Sequence, residues 1–211
     1  MPDILNIRRK RIAVFASGNG SNLQAIIDHT KKNDIYGDVV LALSNNKDAY
    51  ALKRAVNSGI ETEYIPNIIN SSRNEFDSRI SQAIKSKNID LVCLAGYMLL
   101  LSPDFIKEYQ NRILNVHPSL LPSFKGMHGI RDAFDYGVKV TGVTVHFVDN
   151  ELDNGPIILQ EAVLINEGET FEDLEKKIHE TEHRLYPQAV RYFCRDELKI
   201  IGKKALITER S

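Results

Sequence analysis

The sequence predicts an α/β fold: a Rossmann-like, doubly wound sheet that is mostly parallel and carries an antiparallel strand pair in its C-terminal half. Short apolar runs alternate with segments of helical apolar spacing through the first half of the chain, which is typical of parallel βαβ units. A glycine-containing turn follows the first of these runs. In the second half, a run of alternating apolar and polar residues is followed, after a turn, by a matching strand.

Four predicted strands lie in the first half, at residues 12–16, 39–43, 60–65 and 91–95. The segments between them carry apolar residues three and four positions apart, as amphipathic helices do. Residues 91–95 are apolar throughout, which indicates a strand buried on both faces. We therefore expect this half to form the parallel part of the sheet.

The remaining predicted elements are a strand, a short helix and two further strands, at residues 112–116, 130–136, 141–149 and 156–164. The last two strands are joined by a turn, so we expect them to pair in antiparallel fashion. Thr170 and Asp173 fit a capping box at the start of a long helix.

Composition indicates a soluble globular protein, with 26% charged and 43% hydrophobic residues. The formal net charge is −1, and the densest basic run, residues 8–11, is interpreted as a solvated edge, so no nucleic acid is expected. Cys93 and Cys194 show no metal-ligand spacing, and Cys93 is expected in the core. The apolar runs are too short for a membrane span and no signal peptide is evident, which favours a cytoplasmic protein.

The turn between the first predicted strand and helix reads Ser17-Gly18-Asn19-Gly20-Ser21-Asn22. A helix N-terminus attracts phosphate through its unpaired N–H groups and its dipole, and glycine lets the backbone approach the ligand. Leu23 stands where the dinucleotide fingerprint has its third glycine, and no Walker A lysine follows. A monophosphate site is the favoured interpretation, although an ordinary βα turn is the alternative.

Asn115 and His117 alternate along their strand, so both are expected on the same face. Pro118 keeps His117 extended. Ligands of open α/β sheets bind at the carboxyl ends of strands, where this polar pair falls. A histidine at a strand end is also often structural, so the residues alone leave both interpretations open.

Asp153 lies in a tight turn that joins the two predicted antiparallel strands. It either bonds its own backbone or holds and charges a nearby imidazole. In the second case, its side chain converges with those of Asn115 and His117 in one cleft. His146 is interpreted as a structural residue of its strand, and His179 has no evident partner in the sequence.

With these features, the chain resembles the folate-dependent formyltransferase family. Two motifs carry the resemblance: Asn115-x-His117-Pro118-Ser119-Leu120-Leu121-Pro122 followed by Gly126, and Leu152-Asp153-x-Gly155-Pro156-Ile157. Further matches are Ser44-Asn45, Ser72-Arg73, Leu94-Ala95-Gly96-Tyr97-Met98 and Glu182-His183. The likeness extends from about residue 11 to residue 198, and the glycine turn is similar to the branch that formylates phosphoribosylglycinamide in de novo purine biosynthesis.

The resemblance implies roles for individual residues. The implied catalytic residues are Asn115, His117 and Asp153. The implied contacts to the phosphoribosyl substrate are Gly20, Ser21, Asn22 and Glu182. The implied folate contacts are Arg73, Met98, Leu99, Leu100, Leu101, Asp149, Asn150, Glu151, Leu152 and Asp153.

The implied reaction moves the formyl group of 10-formyltetrahydrofolate, a co-substrate, to the amine of 5-phosphoribosylglycinamide, without a metal. Asn115 and protonated His117 would donate to the negative oxygen of the tetrahedral intermediate, and Asp153 would favour the imidazolium and help move the proton. The implied partners are these small molecules, with no nucleic acid or membrane, in a monomer or homodimer. We expect one domain over residues 1–211, with a phosphate-binding half at about 11–100, a catalytic and folate-binding half at about 101–198, and a short tail at 199–211.

Three other classes of protein would account for part of this pattern. A formyltetrahydrofolate hydrolase shares the catalytic trio but resembles a longer chain with an N-terminal regulatory domain, for which ten residues before the first strand leave no room. A methionyl-tRNA formyltransferase has a C-terminal tRNA-binding domain, for which the tail is too short. A non-catalytic nucleotide-binding protein would explain the glycine turn but not the three polar residues. A hydrolase is distinguished from the transferase by whether deformylation of formylfolate requires phosphoribosylglycinamide.

Overall fold

One mixed sheet organises residues 8–67 and 73–208, which a computed structural model of the protein describes. Its strands are β1 (Lys10–Phe15), β2 (Gly37–Ser44), β3 (Glu61–Tyr64), β4 (Leu91–Leu94), β5 (Ile113–His117), β6 (Val140–Phe147), β7 (Ile157–Leu164), β8 (Leu198–Ile201) and β9 (Lys204–Ile207). The helices of the described ranges are α1 (Ser21–Lys31), α2 (Tyr50–Asn57), α3 (Arg73–Lys85), α4 (Pro103–Glu108), α5 (Gly129–Tyr136) and α6 (Phe171–Cys194).

The strand order is β3-β2-β1-β4-β5-β6-β7-β9-β8. Strands β1 to β5 pair with one another in parallel, whereas β6 is antiparallel to both β5 and β7. The predicted fold class is therefore confirmed, including the antiparallel pair. The chain runs outward from β1 to β3 and then returns to β4, so the order reverses between β1 and β4. Ligands of doubly wound sheets bind at the carboxyl ends of strands beside such a reversal.

The core lies in two layers because the side chains of β1 alternate between the faces of the sheet. Ile12 and Val14 pack in a cluster with residues of α1, α2 and α6, whereas Ala13 and Phe15 pack with residues of α3 and α4. All four side chains are fully buried. Burying an aliphatic or aromatic side chain of the larger kind contributes roughly 1.5–3 kcal/mol, so both layers stabilise the strand that leads into the glycine turn.

Helix α6 begins at the predicted capping box. The Thr170 hydroxyl accepts from the Asp173 N–H at 3.2 Å, and the Asp173 carboxylate accepts from the Thr170 N–H at 3.3 Å. Further along, the buried Tyr186 hydroxyl lies 3.0 Å from the carbonyl of Leu94 and 2.9 Å from that of Leu114. This contact fixes the long helix against β4 and β5 near the sheet edge that carries the polar strand ends.

Some elements differ from the sequence interpretation. The segment predicted as a short tail carries two strands, β8 and β9, which form a hairpin, and β9 pairs with β7 through Lys204 and Ile157. Residues 209–211 lie outside the described ranges. The basic run is not merely solvated: Arg8, Arg9 and Lys10 pair with Asp90, Asp38 and Asp196 respectively. Within the ranges that the structure describes, no helix combines the length and apolarity needed to cross a membrane.

Candidate active site

Strand β5 presents Asn115 and His117 on one face at its carboxyl end. In the antiparallel register with β6, Asn115 stands opposite His146 and His117 stands opposite Thr144. Directly opposed residues of an antiparallel pair have neighbouring side chains on one face of the sheet. The register therefore creates a polar patch of two imidazoles, an amide and a hydroxyl on two neighbouring strands.

The imidazole of His117 is buried, and each ring nitrogen faces an oxygen. Its Nε2 donates to the carbonyl of Phe124 at 2.8 Å, and its Nδ1 lies 3.5 Å from Oδ2 of Asp153. A neutral imidazole has a single N–H, which the Phe124 carbonyl already engages. Nδ1 therefore points its lone pair, or a second proton when the ring is charged, at the Asp153 carboxylate.

The turn after β6 brings Asp153 to this imidazole. Asp153 has a left-handed backbone with φ of 49°, and its Oδ2 accepts from the Gly126 N–H at 2.8 Å. Gly155 keeps the turn tight, because a Cβ there would lie 1.8 Å from the carbonyl oxygen of Phe147. The glycine of the second sequence motif thus has a steric function in the turn that holds Asp153.

His146 is the residue of this cluster that sequence reasoning assigned to structure alone. Its Nδ1 donates to the carbonyl of Phe147 at 2.8 Å, and its Nε2 accepts from Nδ2 of Asn115 at 3.2 Å. The same Nε2 lies 3.8 Å from Oδ1 of Asp153, so the carboxylate stands between two imidazoles. Burial lowers the pKa of His146, against smaller opposing effects of the hydrogen bond to the Phe147 carbonyl and of the Asp153 charge. Alternation groups His146 with Thr144 and Val148 but does not identify its neighbour across the ladder. That neighbour, Asn115, depends on the register of β5 and β6.

The glycine turn leads directly into α1, as the sequence predicts. Gly20 itself is the N-cap, with φ of 75°, and Ser21 is already the first helical residue. A Cβ on Gly20 would lie 2.6 Å from Cβ of Ala51, so a side chain is excluded by space as well as by conformation. Arg54 donates to the carbonyl and the side chain of Asn19, both at 2.9 Å, which holds the turn from α2.

Asn22 and Glu182 meet beneath this turn. Nδ2 of Asn22 donates to Oε2 of Glu182 at 3.0 Å, and both residues are buried. His179, which has no evident partner in the sequence, donates from Nδ1 to the same carboxylate oxygen at 3.0 Å, and this hydrogen bond raises its pKa. Within the described part of the chain, Oδ1 of Asn22 is buried without a hydrogen-bond partner.

The segment of the predicted folate contacts follows β4, and α3 anchors it. Arg73 donates to the carbonyl of Leu100, which is a contact to the protein's own backbone. Met98 and Leu100 are more than half exposed, whereas Leu101 is buried in the core and Leu99 packs against it. Of the four predicted contact side chains in this segment, Met98 and Leu100 are therefore the most accessible to a ligand. Ser72, another sequence match, lies outside the described residues.

The second predicted folate segment, residues 149–153, forms a short ordered loop. Asp149 accepts from the Glu151 N–H at 3.0 Å and from the Asn154 amide at 3.3 Å, while Asn150 and Glu151 are exposed. Leu152 is 50% exposed. Val148 packs against the same core cluster as Tyr97 and Leu99, so the two segments border a common layer.

Ser17 joins the glycine turn to the segment after β4. Its hydroxyl donates to Oδ1 of Asn45 at 2.6 Å and accepts from the Met98 N–H at 2.9 Å. Its own N–H donates to the carbonyl of Gly96 at 3.0 Å. The loops at the ends of β1, β2 and β4 are therefore linked through a single serine.

The fold and the site together define a class: a doubly wound α/β domain with a glycine turn after β1 and an Asn/His/Asp cluster after β5. Among the described residues, no group of three or more His, Cys, Asp or Glu side chains is arranged to hold a metal ion. Residues 10–190 match the family model described as "Formyl transferase", and the chain belongs to this family.

Comparisons with individual proteins agree with this membership. The chain is 43% identical over 189 residues to phosphoribosylglycinamide formyltransferase of Escherichia coli, covering 90% of this chain and 89% of that protein. It is 43% identical over 187 residues to the trifunctional purine biosynthetic protein adenosine-3 of Gallus gallus, covering 89% of this chain but only 19% of that protein. The chain thus spans about a fifth of the length of this trifunctional relative. The crystal structure of glycinamide ribonucleotide transformylase 1 from Symbiobacterium toebii superposes with a TM-score of 0.95 at 43% identity, covering 99% of both chains.

Proposed function

We propose that this protein transfers the formyl group of 10-formyltetrahydrofolate to the amine of 5-phosphoribosylglycinamide, a step of de novo purine biosynthesis. The observation that carries the proposal is the buried pair of His117 and Asp153 beside Asn115, at the same sheet edge as the glycine turn. Only β4 lies between β1 and β5, so the two features are separated by about two strand spacings, or roughly 10 Å. A phosphorylated substrate with a reactive amine at its other end suits that arrangement.

The acceptor's phosphate is assigned to the N-terminus of α1. The closely approachable backbone at Gly20 and the unpaired N–H groups of the first turn, including that of Ser21, favour an anion there. Beneath the turn, the free Oδ1 of Asn22 and the carboxylate of Glu182 can accept hydrogen bonds from sugar hydroxyls. The helix N-terminus thus offers partial positive charge to a phosphate, and the two side chains offer acceptor oxygens to hydroxyl groups. A phosphoribosyl group carries both.

The formyl donor is assigned to the side of β5 that carries the segments after β4 and β6. Met98, Leu100 and Leu152 have side chains that are at least half exposed, which suits the flat, largely apolar faces of a pterin. The polar edge of the pterin is assigned to those peptide groups of residues 98–101 and 149–153 that are not already bonded to Ser17, Arg73 or Asp149. Arg73 donates to the carbonyl of Leu100. In this proposal it therefore holds the segment of residues 98–101 in place and also offers a positive charge to the ligand.

The proposed reaction uses positioned donors and a proton relay. The amine nitrogen attacks the formyl carbon, a carbon–nitrogen bond forms, and the carbonyl oxygen becomes negative. An N–H of Asn115 and an N–H of His117 stabilise that oxygen, although the Nε2 proton first has to leave or share the Phe124 carbonyl. The His117–Asp153 pair accepts the proton from the attacking nitrogen and returns it to N10, and breakage of the carbon–N10 bond releases tetrahydrofolate.

The test is a formyl-transfer assay with purified protein, in which formyl-glycinamide ribonucleotide and tetrahydrofolate appear in equal amounts. We expect little consumption of 10-formyltetrahydrofolate until phosphoribosylglycinamide is added. Formate release at the same rate without the acceptor would instead identify a hydrolase, and no turnover with either would favour a non-catalytic binding protein. We expect a cytoplasmic monomer or homodimer that acts on small molecules, without nucleic acid or membrane partners, as a single domain.

A further inference from the structure

A second imidazole, that of His146, lies beside Asn115, and the proposed reaction does not use it. His146 is 2% exposed and stands directly across the β5–β6 ladder from Asn115. Both of its ring nitrogens have neighbours: Nδ1 has the carbonyl of Phe147 at 2.8 Å, and Nε2 has the Asn115 amide at 3.2 Å. These two fixed neighbours determine which ring nitrogen of neutral His146 carries the hydrogen. The position of that hydrogen in turn determines the orientation of the Asn115 amide.

The carbonyl of Phe147 decides where the proton of neutral His146 lies. A carbonyl oxygen only accepts, so Nδ1 must carry the hydrogen, and Nε2 of the neutral ring is left as an acceptor. An acceptor at 3.2 Å requires a donor, and the NH₂ group is the only part of the Asn115 side chain that donates. The neutral ring therefore selects one of the two amide orientations of Asn115, with Nδ2 towards His146.

We propose that His146 is a positioning residue, which in its neutral Nδ1–H form holds the Asn115 amide in the orientation that presents its second N–H to the reacting formyl oxygen. This proposal rests on the proposed function for the identity of that oxygen. A protonated His146 has an N–H at both ring nitrogens, so Nε2 then repels the NH₂ group and favours a flipped Asn115 with Oδ1 in its place. In the flipped state a lone pair replaces the second N–H, and the negative oxygen meets repulsion in place of a hydrogen bond.

The groups around His146 act in both directions on its charge. Burial favours the neutral ring and lowers its pKa, and the charge of His117 on β5 acts in the same direction. The hydrogen bond to the Phe147 carbonyl favours the charged ring and raises its pKa, as do Asp153, whose Oδ1 lies 3.8 Å from Nε2, and Asp149 in the following loop. On β7, the residue opposite His146 is Ile157, which carries no charge. At neutral pH the His146 ring is neutral. Acidification protonates it and increases the population of the flipped Asn115 amide.

The direct test is a nuclear magnetic resonance titration of the full chain, in which the side-chain ¹⁵NH₂ pair of Asn115 is identified by its loss in Asn115→Ala. We expect these resonances to shift with the same midpoint as the His146 ring and to be unaffected by the titration of His29, which pairs with Asp34 on the surface. His146→Gln, whose amide oxygen can accept without titrating, should abolish that shift. Asn115 resonances that stay constant while His146 titrates would overturn the proposal.

Kinetics supply the second test. His146→Leu removes the acceptor and should lower kcat by roughly 10²-fold, the usual effect of losing one oriented donor, with little change in either KM. His146→Gln should lose less, and its kcat should lack the acid limb that matches the His146 midpoint, whereas His29→Gln should retain that limb. If His146→Leu does not fold, the wild-type titration and His146→Gln still decide the question. If the Asn115 amide follows His146 but no formyl transfer occurs, the proposed function fails while the orientation of the amide by His146 stands.

Discussion

Oδ2 of Asp153 lies 3.5 Å from Nδ1 of His117, and both side chains are largely excluded from solvent. The opposite ring nitrogen is fixed by the Phe124 carbonyl at 2.8 Å, so the ring cannot turn without losing a hydrogen bond. The residue that supplies this carbonyl has a left-handed backbone with φ of 49°, as Asp153 also has. Two unfavourable backbone conformations are thus maintained on either side of one imidazole, which is typical of functional sites.

Asp153→Asn is expected to lower kcat by about 10²–10⁴-fold, the range that a positioned acid–base group contributes. The asparagine oxygen can still accept from the Gly126 N–H, so the turn is expected to persist while the charge facing Nδ1 is lost. Steady-state kinetics measure the effect, with Asp135→Asn, an exposed aspartate on α5, as the matched control. An Asp153→Asn enzyme with more than half of the wild-type kcat would refute a role of this carboxylate in proton transfer.

Gly20→Ala tests whether the glycine turn needs its left-handed residue. The substitution costs about 1–2 kcal/mol for the positive φ alone, and its Cβ would also lie 2.6 Å from Cβ of Ala51. We expect a loss of at least about 2 kcal/mol in the free energy of unfolding, and a raised KM for phosphoribosylglycinamide. Gly18→Ala is the matched control, because a Cβ there meets no atom within 4 Å, and its unfolding free energy should change by less than about 0.5 kcal/mol. Equal unfolding free energies for the two variants would contradict this account.

Sequence patterns predicted the parts of this fold that depend on repeated local signals. The continuous apolar runs of β1 and β4, the alternation of β6 and the capping box of Thr170 all have local physical causes. Helix α4 escaped prediction because six residues with only Phe105 and Ile106 buried give too short a periodic pattern. The hairpin of β8 and β9 has four-residue strands that are not fully buried, so its apolar signal is weak.

The candidate site was predictable to the extent that its residues stand in turns and at strand ends. Asn115, His117 and Asp153 follow from motifs, and alternation gave the shared face of the first two. Asn115 and His146 are 31 positions apart in the sequence, and their contact depends on the register of β5 and β6, which no local pattern encodes. The pairing of Asn22 with Glu182 joins residues 160 positions apart and has the same cause.

Glu182→Gln is expected to lower the pKa of His179, because the carboxylate hydrogen bond is the main cause of its elevation. The folded pKa lies above the unfolded value of about 6.5, so this interaction stabilises the protein below that pH and the stabilisation is lost as pH rises through the folded pKa. The effect on unfolding is expected to be small, since the His179 side chain is 46% exposed. Histidine ring resonances measured against pH test the shift, and the exposed neighbour variant Glu180→Gln should leave His179 near its wild-type midpoint. A His179 midpoint that is the same in Glu182→Gln and in wild type would count against the hydrogen bond as its cause.

His117→Ala and Asn115→Ala test when the two proposed donors act. The negative oxygen exists only on the path to product, so donors aimed at it stabilise the transition state more than either bound substrate. Each substitution is expected to lower kcat by about 10²–10³-fold, while both KM values change little. Because the two donors serve one charge, the double variant should lose less than the sum of the two losses in activation free energy.

The His117→Ala substitution leaves the Phe124 carbonyl without its side-chain donor and removes the imidazole that faces Asp153, which keeps only the Gly126 N–H, so folding has to be separated from catalysis. His117→Gln is the comparison variant, since its amide N–H can still donate to that carbonyl while it cannot exchange a proton with Asp153. We expect His117→Gln to recover stability, measured by urea unfolding, without recovering kcat, because a neutral amide does not carry a proton between the two nitrogens. If His117→Gln or a correctly folded His117→Ala turned over at nearly the wild-type rate, the imidazole would be structural, and the developing charge would have to be met by Asn115 and backbone donors.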